Sequence, residues 1–263
     1  MPEYLKCIPS YRRPHNVQKM ESLVGDELVW FVHDMEDLRA YKDAGAERVV
    51  VTDAASLVQQ RQAILDHCRN EGVWCVSMDD DVHRTGAKSQ GDYEIEDVDI
   101  SYIIDTVAET MKSVDAHLGG CNYIGTFLSE RVQVRDIISA GFMVINTESP
   151  VDWPYDEPLL SFRDQWEFSL RHIQEHELVV MLNYLTVAHK MNTGKGGLES
   201  QRTDMLQVES GKEMLRRWPH DLKKLKHSKK EKRLRPGEVR IIRMGYERMT
   251  PKAIAAFELL NNT

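Results

Sequence analysis

Residues 72–82 read Gly-Val-Trp-Cys-Val-Ser-Met-Asp-Asp-Asp-Val, an apolar run of strand type that stops in three adjacent carboxylates, Asp79, Asp80 and Asp81. An apolar run of this kind belongs in the interior of a sheet covered on both faces. Neighbouring carboxylates repel one another, so a fold that gathers three at a strand end usually supplies a cation. Carboxylate oxygens select a hard ion, Mn²⁺ or Mg²⁺. In an open α/β sheet ligands bind at the carboxyl ends of the strands, where such an ion is held by one or two carboxylates together with substrate phosphates. The stretch therefore predicts a metal-diphosphate site. An acidic turn, or an Asp capping the next helix, is the alternative that the same residues allow.

The rest of the chain alternates in the same sense. Apolar or β-branched runs at 4–8, 28–32, 48–52, 123–127, 141–146, 178–187 and 239–243 read as strands. Between them fall stripes at helical spacing: Leu57, Val58, Ile64, Leu65 and Cys68 closed by Gly72, and Ile100, Ile103, Ile104, Val107, Met111, Val114 and Leu118 closed by Gly119 and Gly120. Residues 83–92 read as a polar loop, and Thr250-Pro251 opens a last helix. The pattern predicts an α/β fold, a Rossmann-type sandwich with a mostly parallel central sheet and helices on both faces. A chain of 263 residues can bury a full core without staples. We expect a core over 1–210 and a basic extension over 211–263 that packs on it.

The four cysteines, Cys7, Cys68, Cys75 and Cys121, form no C-x-x-C pair and mostly fall inside apolar segments. That usage points to a reducing compartment rather than to a disulfide framework or a zinc site. The first residues lack a signal-peptide core, and no apolar run approaches the ~18 residues of a membrane span. The expectation is a soluble cytoplasmic protein without membrane contact. Net charge is -8, but 216–243 holds 12 Lys/Arg against three acids, which makes that segment +9 and the remainder -17. Lys223, Lys224, Lys226, Lys229, Lys230, Lys232, Arg233 and Arg235 carry most of it. Charge runs are commonly solvated faces; one with so little compensating acid points to a polyanionic partner bound in a salt-sensitive way.

Several other residues sit where the metal-diphosphate reading needs them. Pro9, Ser10, Tyr11, Arg12 and Arg13 follow the first strand, where an aromatic and two guanidinium groups can stack a base and meet phosphate, or form an ordinary loop. Asp34 ends the second strand and can accept from a ribose hydroxyl or cap a helix. Gln60 and Arg61 lie in the first turns of a helix, close to where an anion would bind. Trp153 and Tyr155, in the proline-rich stretch 150–158, can wall a sugar or base, or pin the loop to the core. Asp164 and Glu167 share one side of a helix start. Asp164 fits a general base, or a capping box with Ser161. His189, just past a long strand, can join the acidic site or lie on the surface. Lys195, in the glycine-rich stretch 192–197, can contact a diphosphate or belong to a plain connector.

The order of these parts resembles that of a GT-A glycosyltransferase over most of 3–200. More narrowly, Ile8-Pro9-Ser10-Tyr11-Arg12-Arg13-Pro14, Leu57-Val58-Gln59-Gln60-Arg61, Met78-Asp79-Asp80-Asp81-Val82 and Phe162-Arg163-Asp164-Gln165-Trp166-Glu167-Phe168 resemble the TET-associated glycosyltransferases of bacteriophages. The resemblance implies a hexosyltransferase that moves a sugar from a UDP-sugar to 5-hydroxymethylcytosine in phage DNA, in the cytoplasm of an infected bacterial cell. It makes Asp79 and Asp81 the metal-facing pair with His189 completing the shell, turns Asp80 toward the donor, and sets Arg12, Arg13 and Arg61 on nucleotide and phosphate. Asp164 becomes the base of an inverting transfer, with Glu167 as second candidate. A site at the bottom of a crevice favours an extruded base stacked on Trp153, Tyr155 or Trp166. Competing readings are a GT-A transferase acting on a protein or glycan, a nucleotidyltransferase, and a nucleic-acid-binding module that keeps the fold without catalysis.

Overall fold

The computed structural model describes residues 2–25, 27–88, 95–122, 131–157, 159–160, 163–189, 204–224, 239–241 and 249–261. The expected strand at 123–127, Lys195 with its glycine-rich stretch, and Lys226, Lys229, Lys230, Lys232, Arg233 and Arg235 lie outside the described residues.

Short apolar runs make the strands, and small polar residues start several of the helices. β1 (Tyr4–Pro9), α1 (Val17–Val24), β2 (Leu28–Val32), α2 (Met35–Asp43) and β3 (Arg48–Val51) come first. Ser56 then caps α3 (Leu57–Glu71) by accepting from the Gln59 N–H, and Gly72, in the left-handed region at φ 70°, ends it and turns the chain into β4 (Trp74–Met78). β5 (Val82–Ala87), β6 (Glu96–Asp97), α4 (Ile100–Ser113), β7 (Leu118–Asn122), β8 (Val132–Gln133), β9 (Phe142–Ile145), α5 (Asp164–His176) and β10 (Val180–His189) complete the core. α6 (Asp204–Arg217), β11 (Leu222–Lys224), β12 (Val239–Ile241) and α7 (Pro251–Asn261) follow.

One sheet of 10 strands runs in the order β3-β2-β1-β4-β9-β7-β10-β5-β6, with β8 beside β10. β3, β2, β1 and β4 are mutually parallel, and β10 is parallel to β7. β9 is reversed between β4 and β7, and β5 and β8 are reversed against β10. Strand direction is therefore mostly parallel, as expected. Side chains alternate between two apolar layers. Trp30 and Val32 of β2 join Tyr41 of α2 and residues of α1, α4 and α7 on one face, while Val29 and Phe31 join residues of α3, α5 and α6 on the other. Helices thus cover both faces. No helix among the described residues is long and apolar enough to cross a membrane.

Three local expectations are corrected. The helix expected to run to Leu118 stops at Ser113, because Asp115 turns the chain at φ 54°. Gly119 and Gly120 do not end that helix; they lie in β7, where a Cβ would meet Met111 Sδ and Ile138 Cγ2 at 2.5 Å each. The polar stretch after the triplet opens as β5, pairing with β10 through Thr85, Gly86 and Ala87.

Candidate active site at the strand ends

β1, β2 and β4 end on the same edge of the sheet, and the segment joining β3 to α3 folds over that edge. Between them lies a cavity of about 320 Å³ lined by Pro9, Ser10, Tyr11, Arg13, His33, Ala54, Ala55, Ser56, Leu57, Gln60, Asp79, Asp80 and Asp81. Tyr11 stands at its mouth, 42% exposed, edge-on to His33 with ring centroids 5.8 Å apart. The guanidinium of Arg12 lies 5.0 Å from the Tyr11 ring centroid, on a residue held at φ 54°. Gln60 is buried and donates to the Phe31 carbonyl at 2.7 Å, which ties α3 to the end of β2.

The three carboxylates of the triplet have three different settings. Asp80 is buried, accepts from the Ser10 hydroxyl and accepts from Arg13 Nη1 at 2.9 Å. The Ser10 hydroxyl also meets that of Tyr41, which accepts from the Arg13 N–H at 3.0 Å. Burial pushes Tyr41 up to about 12, so it stays a neutral partner in this network. Asp80 thus holds the β1 turn in shape. Asp79 donates its N–H to the Gly141 carbonyl at 3.1 Å and accepts from Arg61 Nη2 at 3.2 Å.

Asp81 lacks such compensation. Its Oδ1 is buried without a hydrogen-bond partner, and Arg13 Nη1 stands 3.9 Å from Oδ2. Burial, followed by the charges of Asp79 and Asp80, pushes its carboxyl up to about 6, with His189 and Arg13 pulling the other way. His189 reaches this end of the sheet because position 141 is glycine: a Cβ there would lie 2.3 Å from the imidazole Cε1. An orphaned carboxylate oxygen, the neighbouring Asp79 carboxylate and the His189 imidazole have the chemistry of a hard-cation donor set, but among the described residues the trio whose ligand atoms all lie within 4.8 Å of one another is a different one, Cys7, Cys68 and Cys75.

Arg61 joins two elements across the site. It is buried, pairs with Asp164 through Nη1 and with Asp79 through Nη2, and its guanidinium lies 5.3 Å from the Trp153 ring centroid. The arginine that interrupts the α3 apolar stripe therefore pairs with two carboxylates and is not among the residues that line the cavity. Asp164 is the first residue of α5, where the helix dipole favours a carboxylate. Arg163, without a side-chain cap bond, precedes it, and Ser161 lies outside the described residues.

Other expected site residues are placed elsewhere. Glu167, the second candidate base, is 2% exposed and accepts from Arg171 Nε, Arg217 Nη1 and Trp218 Nε1. With both oxygens occupied, it joins α5 to the end of α6 and is not open to a substrate. Trp153 is not a stacking wall: it is 1% exposed and stacked on Phe168, with ring centroids 4.0 Å apart. Asp34 caps α2, accepting from the Glu36 and Asp37 N–H groups at 2.9 Å each. Tyr155 remains 45% exposed. Trp166 is partly buried, with the Arg163 guanidinium 5.6 Å from its ring centroid. Lys223 and Lys224 are on β11, in register with Arg240 and Val239 of β12.

The sequence reading missed His33, Ala54, Ala55, Ser56, Leu57 and Gly141. A signal existed for the middle four, since small residues between a strand and a capped helix leave room for a ligand at that helix start. For Gly141 there was none, because its role depends on a strand almost 50 residues further along.

No family model matches the chain, and no curated protein matches it significantly. Among solved structures it is similar to mannosyl-3-phosphoglycerate synthase from Rubrobacter xylanophilus, at 9% identity and a TM-score of 0.47 over 82% of this chain and 74% of that one. It is also similar to mannose-1-phosphate geranyltransferase from Thermus thermophilus, at 9% identity and a TM-score of 0.38 over 72% of this chain and 75% of that one. Both are likenesses of fold alone.

Proposed function

We propose that this chain is a divalent-cation-dependent glycosyltransferase of GT-A type that moves a hexose from a UDP-sugar to 5-hydroxymethylcytosine in DNA. The observation that carries the reading is the uncompensated Asp81 carboxylate, which with Asp79 lines a cavity walled by the β1 turn and the start of α3, and whose charge His189 favours. Tyr11 and His33 offer faces and edges for the base, and Arg13 lies within reach of a diphosphate at the triplet. Asp79, Asp81 and His189 would hold Mn²⁺ or Mg²⁺, which when bound neutralises the charge that develops on the departing nucleoside diphosphate. Arg61 fixes Asp164 by one oxygen, so Oδ1 is the atom left to take the proton of the acceptor hydroxyl as that hydroxyl attacks the sugar C1. This role belongs to an inverting course.

The +9 segment at 216–243 supports a DNA acceptor, because a small glycan needs no such charge. Tyr155, exposed in the loop that α3 pins through Gln62 and Arg69, is the aromatic best placed to meet an extruded base. The test is incubation with hydroxymethylated DNA, a panel of nucleotide sugars and Mn²⁺, followed by digestion and mass spectrometry of the nucleosides. A sugar-sized mass gain that Asp81→Ala abolishes supports the proposal. Donor binding without any gain redirects it to protein or glycan acceptors, and no donor binding at all leaves a nucleic-acid-binding module.

A further inference from the structure

Beneath the cavity lies a second group of potential ligands. Cys7 on β1, Cys68 on α3 and Cys75 on β4 place their Sγ atoms within 4.8 Å of one another, and all three are buried. β1 and β4 pair in parallel with Leu5 opposite Cys75 and Cys7 opposite Ser77, so the two strand cysteines are two register steps apart and point to the same face. α3 crosses that face and brings Cys68 to them, with Cys7 Sγ and Cys68 Sγ 3.7 Å apart. A disulfide would need about 2.05 Å. Three thiolates on one ion at about 2.3 Å each would stand about 3.8 Å apart in a tetrahedral arrangement and about 4.0 Å apart in a trigonal one.

Among the three thiols, Cys68 is the one whose proton is most easily removed. Hydrogen bonds from Cys7 and Cys75 pull the Cys68 thiol down, with help from His67, whereas the presence of Cys68 and burial push the other two thiols up. A cation at the centre would remove that opposition. Cys121, the fourth cysteine, belongs to the apolar layer on the other face of the sheet and serves as an internal control.

We propose that Cys7, Cys68 and Cys75 form a structural site for one thiophilic closed-shell ion, Cu⁺ or Zn²⁺, distinct from the hard-cation site at the triplet. Binding exchanges thiol protons, which leave to solvent, for the cation, and sulfur is neither oxidised nor reduced. A trigonal, apolar setting suits Cu⁺, and the smaller residual charge on three thiolates suits Zn²⁺. The ion would tie together the three elements that carry the Ser10 to Arg13 turn, Gln60 with Arg61, and the Asp triplet. The absence of C-x-x-C spacing concealed the group, since its members come from three elements.

The full chain, reduced and stripped of metal under anaerobic conditions, is titrated with Cu⁺ against a chromophoric Cu⁺ chelator and, separately, with Zn²⁺ against a chromophoric Zn²⁺ chelator. One equivalent of either ion is expected to bind, to be retained by Cys121→Ser, and to bind at least tenfold more weakly to Cys68→Ser and Cys75→Ser. X-ray absorption at the edge of the metal bound to the unaltered chain, which does not depend on any variant folding, is expected to show three sulfur ligands at about 2.3 Å. Failure to withdraw either ion from its chelator, undiminished binding by Cys68→Ser, or a shell of nitrogen and oxygen would overturn the proposal. None of these results depends on sugar transfer.

Discussion

The two ends of α5 each gather buried ionisable groups, and they neutralise them in opposite ways. At the first turn, Asp164 meets Arg61, which also pairs with Asp79 of the acidic triplet; charged groups are retained there, and Asp81 has no adequate counter-charge. At the last turns, His172 and His176 surround Ser149, with Ser149 Oγ 3.3 Å from His172 Nε2 and 2.8 Å from His176 Nε2. His117 stacks on His176 at 3.9 Å, and His172 Nδ1 meets the Phe168 carbonyl at 2.9 Å. Burial lowers His172 to about 3 and His176 to about 4, so these imidazoles stay neutral. One helix therefore spans a charged cluster short of a cation and a histidine cluster that avoids one. The first arrangement suits a ligand, and the second suits a packed interior.

The comparison breaks most clearly at Asp81. Asp81→Asn should lower transfer by about 10³-fold or more, a loss on the order of 4 kcal/mol in the transition state; near-normal turnover in a steady-state assay would separate the triplet from catalysis. Glu167 lies between the two clusters, and Glu167→Ala leaves Arg171 and Arg217 short of a buried partner. Because both arginines keep Glu157 and are partly exposed, the loss should be on the order of 1–3 kcal/mol, to be read by denaturant unfolding. Asp164→Asn keeps a hydrogen-bond acceptor for the buried Arg61 guanidinium but removes its closest counter-charge, so it should lower the melting temperature as well as transfer.

Acid distinguishes the clusters by sign. The lowered His172 takes up a proton more readily when unfolded, so its contribution is full above about 6.5 and is lost as pH falls toward 3, by at most about 1.4 kcal/mol per pH unit. Unfolding of His172→Gln, followed from pH 7 to 4, should show a flatter acid limb. Asp81 has the opposite sign: its raised pKa makes the cation-free fold less stable as pH rises from about 4 to about 6. Asp81→Asn should therefore raise the melting temperature of the cation-free protein by about 2–4 °C at pH 8, a figure reduced for the partial exposure of the group. That gain should vanish near pH 4, and only the unaltered chain should gain stability from Mn²⁺. The smallest effect is expected at Tyr155, where Tyr155→Ala should raise the acceptor KM a few-fold and leave donor binding unchanged by calorimetry.

Much of the first half of this molecule was legible because its signals are local. Apolar runs that end in Pro9, Asp34 or Asp79, and a helix opened by Ser56 and closed by Gly72, each declare themselves within a few residues. The triplet and Arg61 were legible for the same reason, as charges that interrupt apolar patterns. Glu167 and Trp153 were not, because their partners lie far off in sequence: Arg217 and Trp218 come from the end of α6, and Phe168 is reached only when the loop folds back on α5. Gly119 and Gly120 misled because glycine reads as a stop, whereas here it lets Met111 and Ile138 approach the sheet.

Gly141 has a consequence for inheritance as well as for geometry. Its missing side chain is filled by the His189 ring, so even an alanine codon at 141 would displace the imidazole from Asp81. In a scan of all single substitutions, position 141 should behave as though it were part of the site's chemistry although it offers no functional group of its own. Lineages that keep His189 are thereby confined to one residue at a strand almost 50 positions upstream.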